Sequence, residues 1–263
     1  MRDRARRFVR TLAALCLLIP VSNASADPLA DTVARIKPSI VGVGTFQKTR
    51  QPSATFSGTG FVVADGLHVV TNFHVLPRNL NVEGKEALIV VLGGASGIQA
   101  RNAQIVATDK ARDLALLRIE GPPLNALKIG DSSAAREGQA LAFIGFPVAM
   151  ALGLFPATHR ATLAAIVPIA RAGITGRELN PRMVQRLRDG PYAVFQLDAT
   201  AYPGNSGSPV FDPVSGDVYG IVNSVFIQET REQSISRPSG ITYAIPAIHI
   251  ADLLEKAGFP PAR

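Results

Sequence analysis

An all-β protein of two six-stranded antiparallel β-barrels, closed by a C-terminal helix, is the architecture this 263-residue chain predicts. Three observations carry it. From Ile40 onward the apolar runs are short, β-branched and separated by Gly, Pro, Asn or Asp, the pattern of strands in a sandwich or barrel. They number twelve, six before residue 120 and six after residue 139, with no sequence repeat relating the two sets. Between them the stretch 121–137, rich in Pro, Ser and Ala, reads as an interdomain connection. The length allows one large domain or two all-β halves, and 47% apolar residues suffice for a sizeable core.

The elements follow in order. Residues 1–26 read as an export signal. Arg2, Arg4, Arg6, Arg7 and Arg10 form a basic head, residues 11–21 an apolar core, and Ala24-Ser25-Ala26 a small-residue cleavage site before Asp27. A membrane anchor is the competing reading. The apolar run has only 11 residues and contains Pro20, whereas a span needs about 20. Arg6-Arg7 hints at twin-arginine export, but the residues after the pair fit that signal poorly. Cys16 follows Leu15, too bulky for a lipoprotein processing site, and no cysteine comes after it. An exported chain without disulfides must be held by core burial, which suits a bacterial periplasmic or secreted protein.

Removing 1–26 takes five of the 27 Lys and Arg and one of the 20 Asp and Glu, leaving a mature charge of about +3 in place of +7. The strongly basic balance belongs largely to the signal, so a nucleic-acid partner loses its main support. No membrane span is expected in the mature chain.

The strands of the first half are expected at 40–46, 57–64, 67–71, 87–92, 102–108 and 114–119, within a domain spanning 27–135. Those of the second half, within 136–263, are expected at 140–145, 160–168, 193–198, 207–211, 217–226 and 241–245. Two helices interrupt the pattern. Asn180 as cap and Pro181 at the first helical position start one that runs to about 189, inside a long insertion at 171–191. Its arginines read as a solvated face. The other closes the chain, with Ile250, Leu253, Leu254 and Ala257 on one apolar face. Pro246 opens it; Gly258, Pro260 and Pro261 end it.

The chemistry centres on Tyr202-Pro203-Gly204-Asn205-Ser206-Gly207-Ser208-Pro209-Val210, a glycine-punctuated turn with a serine at its apex. Small neighbours let the Ser206 hydroxyl stand clear. Gly204 can adopt angles that aim its N–H, with that of Ser206, at one point, as a developing oxyanion requires. A plain polar hairpin loop fits the same residues equally well. A serine nucleophile needs an adjacent base. Of four histidines (His68, His74, His159, His249), His74 follows a strand in Val70-Thr71-Asn72-Phe73-His74. Alone, it reads as a packed or solvated strand-end residue. Asp113 stands at the mouth of Leu114-Ala115-Leu116-Leu117-Arg118-Ile119, either as a turn residue or as a carboxylate with a task. No histidine pair has metal-ligand spacing, so neither a metal nor another cofactor is implied.

Taken together, these stretches resemble the chymotrypsin-fold serine proteases, and most of all the bacterial HtrA/Deg branch. The matching segments are Ser57-Gly58-Thr59-Gly60-Phe61-Val62-Val63, Val70 to Val75, Asp113 to Ile119, Gly204-Asn205-Ser206-Gly207-Ser208 and Gly240-Ile241-Thr242-Tyr243-Ala244-Ile245-Pro246. The order His, Asp, Ser at plausible spacing makes the set specific. The resemblance implies an exported endopeptidase acting on polypeptides, with a wider role in protein quality control. His74 would be general base, Asp113 its orienting carboxylate, Ser206 the nucleophile, and Gly204 and Ser206 the oxyanion donors. Thr200 would lie at the floor of the substrate pocket, Asn223, Ser224 and Val225 on its wall and Gly240 at the rear. Pro203 is expected to hold the oxyanion turn preformed without ligand.

The chain also departs from that branch. Its relatives usually carry PDZ domains after the protease, and none is expected here. Ser208-Pro209 matches glutamyl-endopeptidase-like relatives, yet the following strand, Tyr219-Gly220-Ile221-Val222-Asn223-Ser224, lacks their acid-reading histidine. Ser39-Ile40-Val41-Gly42 looks like an activated trypsin terminus, but Asn205 stands where such an amine needs an aspartate. An α/β-hydrolase elbow fails because a strand, not a helix, follows Ser206. A chaperone-like binding protein that keeps the fold without turnover is the alternative from another class; the intact triad argues against it, and fold alone cannot decide.

Overall fold

The computed structural model describes residues 27–94, 97–147, 155–168, 192–223 and 240–259; the expected signal at 1–26 and helix at 180–189 lie outside the described residues. Twelve strands form two closed barrels. In the first, β1 (Ile40–Phe46), β2 (Ala54–Val63), β3 (His68–Asn72), β4 (Ala87–Gly94), β5 (Gly97–Asp109) and β6 (Leu114–Ile119) close in the order β1-β2-β3-β6-β5-β4. In the second, β7 (Ala140–Gly145), β8 (Ala157–Pro168), β9 (Ala193–Asp198), β10 (Pro209–Phe211), β11 (Val218–Val222) and β12 (Ile241–Pro246) close as β10-β11-β12-β9-β8-β7. Every pairing between neighbouring strands is antiparallel. The run expected at 207–211 is a regular strand only from Pro209, although Gly207 N–H to Val222 O (3.0 Å) and Val222 N–H to Ser208 O (2.9 Å) already tie the preceding residues to β11. β11 ends at Val222, and 224–226 lie outside the described residues.

Strand β6 shows why a barrel strand can carry apolar residues on both faces. Ala115, Leu117 and Ile119 pack inside their own barrel with Val41, Val62 and Val90. Leu114 and Leu116 point the other way, into the seam shared with Ile144, Phe146, Ile221 and Leu254 of the second half. Both faces are dry over residues 114–117, so the period-2 alternation disappears there, and only Arg118 is exposed. Full burial of such side chains is worth about 1.5–3 kcal/mol each. The second barrel is filled by Leu141, Phe143, Leu163, Phe195, Leu197 and Val210.

Both terminal helices cross to the opposite barrel. The first, α1 (Pro28–Ile36), was not among the expected elements. Asp27 caps it by accepting Leu29 N–H at 3.1 Å, Pro28 sits at its start, and Leu29, Thr32 and Ile36 are its buried face. It precedes the first barrel in sequence but docks on the β10–β11 connection of the second. Thr32 Oγ1 donates to Val214 O (2.9 Å) and Arg35 Nη2 to Ser215 O (2.7 Å). The closing helix α2 (Ile248–Lys256) ends at Gly258, φ 86°, a left-handed terminator. Beyond it the Phe259 ring lies 4.1 Å from the ring of His68 at the start of β3. The seam that holds the site is thus strapped from both ends of the chain.

A polar clamp closes the far rim of the first barrel. Arg50 Nη1 donates to Glu86 Oε1 (2.6 Å), as does Thr45 Oγ1 (2.6 Å), while Glu86 Oε2 accepts Asn81 N–H (3.0 Å). The Asn81 amide, the Thr45 hydroxyl and the Arg50 guanidinium hold the Glu86 carboxyl down at about 2. The folded value lies below the ordinary one of 4.5, so the clamp's contribution is present above pH 4.5 and fades as pH falls towards about 2. Acid titration of thermal stability is expected to show this loss, and Glu86→Gln to flatten it. An unchanged acid profile in that variant would remove the clamp from the account.

Candidate active site

Residues from both barrels meet at the seam. Asn205 N–H donates to Tyr202 O at 3.0 Å, with Pro203 at the second position and Gly204, φ 103°, at the third. These are the marks of a type II turn, whose third residue needs a positive φ and so favours glycine. Among the described residues nothing accepts the Gly204 N–H. Ser206 follows, 4% exposed, on a backbone held by Thr59 N–H to Ser206 O (2.8 Å) and Gly207 N–H to Val222 O (3.0 Å).

His74 sits just after β3 in the single 3-10 turn Phe73–Val75. Asp113 reaches it twice: Oδ1 accepts His74 N–H at 2.8 Å, and Oδ2 lies 2.5 Å from Nδ1. Asp113 is 8% exposed and has a left-handed backbone, φ 56°. Asn223 Nδ2 also donates to Asp113 Oδ2, at 2.8 Å. A carboxylate with three donors is fixed in orientation. Glycine lets the histidine and serine turns meet. A methyl on Gly58 would stand 2.7 Å from Val75 Cγ2 and 2.8 Å from Ser206 O, so the β2 backbone passes between the two with room only for hydrogen.

Thr59 lies inside a matched motif, yet its position in the strand gives it no evident role from sequence. Its Oγ1 donates to Gly204 O (2.7 Å) and accepts Phe146 N–H (3.0 Å); its carbonyl accepts Thr71 Oγ1 (2.7 Å). A first-barrel side chain therefore fixes the carbonyl of the glycine turn in the second barrel. Thr59→Val keeps shape, strands Phe146 N–H and releases Gly204 O. A buried group left unpaired costs about 1–3 kcal/mol. Peptide turnover is expected to fall about tenfold or more, less than the roughly 10²–10³ of an oxyanion donor removed outright, and Thr59→Ser to restore it. Equal turnover in Val and Ser variants would show that the bond is idle.

The pocket residues fare differently. Thr200 is half-buried between β9 and the Tyr202 turn. Among the described residues, a Cβ on Gly240, φ 71°, would meet nothing within 4 Å. Asn223 was expected on the pocket wall; its side chain is fully buried and turned to Asp113. Ser224 and Val225 lie outside the described residues. The other histidines have structural partners. His68 Nδ1 is 2.7 Å from Asp65 Oδ1, His159 stacks on Phe143 at 4.7 Å, and His249 meets the Tyr192 ring edge-on at 5.4 Å. Burial pushes His159 and His249 below the usual histidine range. Among the described residues no group of three His, Cys, Asp or Glu could hold a metal.

Comparison with known proteins gives the family and the fold. Residues 58–221 match the family described as "Trypsin-like peptidase domain". The probable periplasmic serine endoprotease DegP-like of Pseudomonas putida (strain GB-1) is 32% identical over 213 residues, covering 80% of this chain and 37% of its own. The serine protease HTRA1A of Danio rerio is 29% identical over 233 residues, covering 87% of this chain and 41% of its own. The chain thus spans well under half the length of these relatives. Among solved structures, a serine endoprotease from Yersinia pestis superposes with a TM-score of 0.60 at 24% identity, over 87% of this chain and 66% of that one, a likeness of fold.

Proposed function

The chain belongs to the trypsin-like peptidase family, and from that premise we propose that it is an exported serine endopeptidase working through His74, Asp113 and Ser206. The observation that carries the reading is the paired grip of Asp113 on His74, at main-chain N and at Nδ1, beside the Ser206 turn. With Nδ1 donating to Asp113, Nε2 is left as the basic nitrogen that takes the Ser206 proton. Ser206 Oγ then attacks the scissile carbonyl, and the Gly204 and Ser206 N–H groups receive the oxyanion. His74 returns the proton to the leaving amine, and water repeats the sequence on the acyl-enzyme. The preset type II turn supports a site ready without an activating ligand. The "periplasmic" in the names of DegP-like relatives supports export across the inner membrane, and their kinship supports a role in protein quality control. A fluorophosphonate, which reacts with an activated serine alone, tests the core of this reading: labelling confined to Ser206 is expected, and none in the folded chain overturns it.

The pocket is proposed to take small to medium aliphatic residues on the acyl side of the cut. A neutral Thr200 offers a Lys or Arg no partner, and a branched Val225 on the wall that the resemblance implies would narrow the slot. Phe is expected to be disfavoured by about 1–3 kcal/mol, the overpacking range. A peptide-library digest should show Val, Ala or Ile dominant, and Val225→Gly should shift cleavage towards Phe. A profile led by Arg, Lys, Phe or Tyr would refute the assignment.

A further inference from the structure

Asp113 aims its carboxylate from a left-handed backbone, φ 56°, a region residues other than glycine seldom occupy. Something must hold it there, and the contacts just upstream supply it. Asp109 closes the 109–112 turn: Oδ1 accepts Arg112 N–H at 3.0 Å, and Oδ2 accepts Arg112 Nη1 at 2.8 Å. One carboxylate thus fixes the main chain and the guanidinium of the residue next to Asp113, in charge-assisted bonds. On the downstream side Asp113 O accepts Phe73 N–H (3.0 Å) and Asn72 Nδ2 (3.1 Å). The Arg112 guanidinium also lies over the Tyr192 ring at 5.8 Å, and Tyr192 meets the His249 ring of α2 at 5.4 Å. Tyr192 immediately precedes β9.

We propose that Asp109 and Arg112 are positioning residues that set the Asp113 backbone so both carboxylate oxygens meet His74, and that Tyr192 and His249 tie this setting to the start of β9 and to the closing helix. The proposal rests on the catalytic reading of His74, Asp113 and Ser206. The charges facing the clasp are Asp109, Arg112, Lys256 and Asp252, with Lys110 nearby over the Phe73 ring. Burial works against the Asp109 charge, yet the Arg112 N–H, its guanidinium and Lys256 outweigh it and hold the carboxyl below its ordinary value. Burial and the Arg112 charge keep His249 below its own, despite Asp252. Asp109 therefore stays ionised beside a neutral His249 ring around pH 7.

The test compares Arg112→Ala, Arg112→Lys, Asp109→Asn and the double variant Asp109→Asn with Arg112→Ala in the full chain, reading kcat, KM and the pH profile on a peptide substrate. A carboxylate displaced by a fraction of an ångström is expected to lower kcat about ten- to a hundredfold with KM little changed. It would also stabilise the imidazolium less, so the acid limb of kcat/KM should move to lower pH. Arg112→Lys should recover part of both, and the double variant should be no worse than the worse single one, because the two residues act as a unit. Loss of stability alone would reduce the active fraction without moving the acid limb. Folded variants with unchanged kcat and acid limb overturn the clasp. If Arg112→Ala does not fold, Asp109→Asn decides, since it keeps an acceptor for Arg112 N–H and removes only the charge pairing. An unaltered chain that neither cleaves peptides nor reacts with a fluorophosphonate refutes the catalytic reading itself, and the clasp's purpose with it.

Discussion

Ser206→Ala and His74→Ala are each expected to abolish peptide hydrolysis with both barrels intact. Neither side chain holds up the fold: the Ser206 backbone is bonded through its own carbonyl to Thr59, and His74 keeps its main-chain bond to Asp113 when the ring is gone. Asp113→Asn is more instructive. The carboxylate takes three donors on two oxygens, His74 N on Oδ1 and His74 Nδ1 with Asn223 Nδ2 on Oδ2. An amide has only one acceptor oxygen. If that oxygen faces His74 N, the NH₂ meets two donors, and His74 must shift its proton to Nε2, where it cannot accept one from Ser206. If the amide flips, His74 N loses its acceptor and the turn loosens. Turnover is expected to fall by about 10⁴. The measurement is steady-state cleavage of a peptide by protein shown by mass spectrometry to be free of the unaltered chain. Near-normal turnover in Ser206→Ala would end the assignment.

Strand content was legible because burial on a barrel selects β-branched runs and turns demand Gly, Pro, Asn or Asp. β1, β6, β7 and β9 lie within the expected spans for that reason. Helix α1 was legible too: Asp27-Pro28 is a cap followed by proline, and Leu29, Thr32 and Ile36 keep helical spacing. It is overlooked when the eye moves from the cleavage site straight to the first β-branched run at Ile40. The contacts that place the site are another matter. Thr59 and Gly204 stand 145 residues apart, and Asn223 and Asp113 stand 110 apart. Each is a single side chain crossing the seam, and no local pattern announces which polar residue of a strand will turn inward. Asn223 illustrates it: strand alternation allows either face, and only the closed second barrel sends the amide to the carboxylate.

Gly207→Ala is expected to be the most damaging single-methyl change near the site, and Gly145→Ala to be much milder. Both would put a Cβ 1.9 Å from an oxygen. At Gly145 that oxygen is Ser208 Oγ, the free end of a rotatable side chain with no hydrogen-bond partner among the described residues. At Gly207 it is the Thr59 carbonyl, already fixed in β2 and bonded by Thr71 Oγ1. Gly207 also has φ 88°, so alanine there adds a left-handed penalty of about 1–2 kcal/mol. Overpacking against a rigid strand adds about 1–3 kcal/mol. With each kcal/mol worth about 2–4 °C in a chain of this size, the melting temperature should drop by roughly 5–20 °C. Relief can come only by prising β2 from the nucleophile turn, which would pull Thr59 from Gly204 and Ser206 together. Turnover in the folded fraction is then expected to fall about a hundredfold, the cost of an ångström of misplacement. Ser208→Ala should relieve the tightest contact of Gly145→Ala and rescue it in part, with Thr59 Oγ1 still 2.8 Å from the new Cβ, whereas no side-chain trimming should rescue Gly207→Ala. Thermal melts with turnover per folded molecule check both, and a Gly207→Ala variant as stable and active as Gly145→Ala would show that the two turns are not wedged against β2.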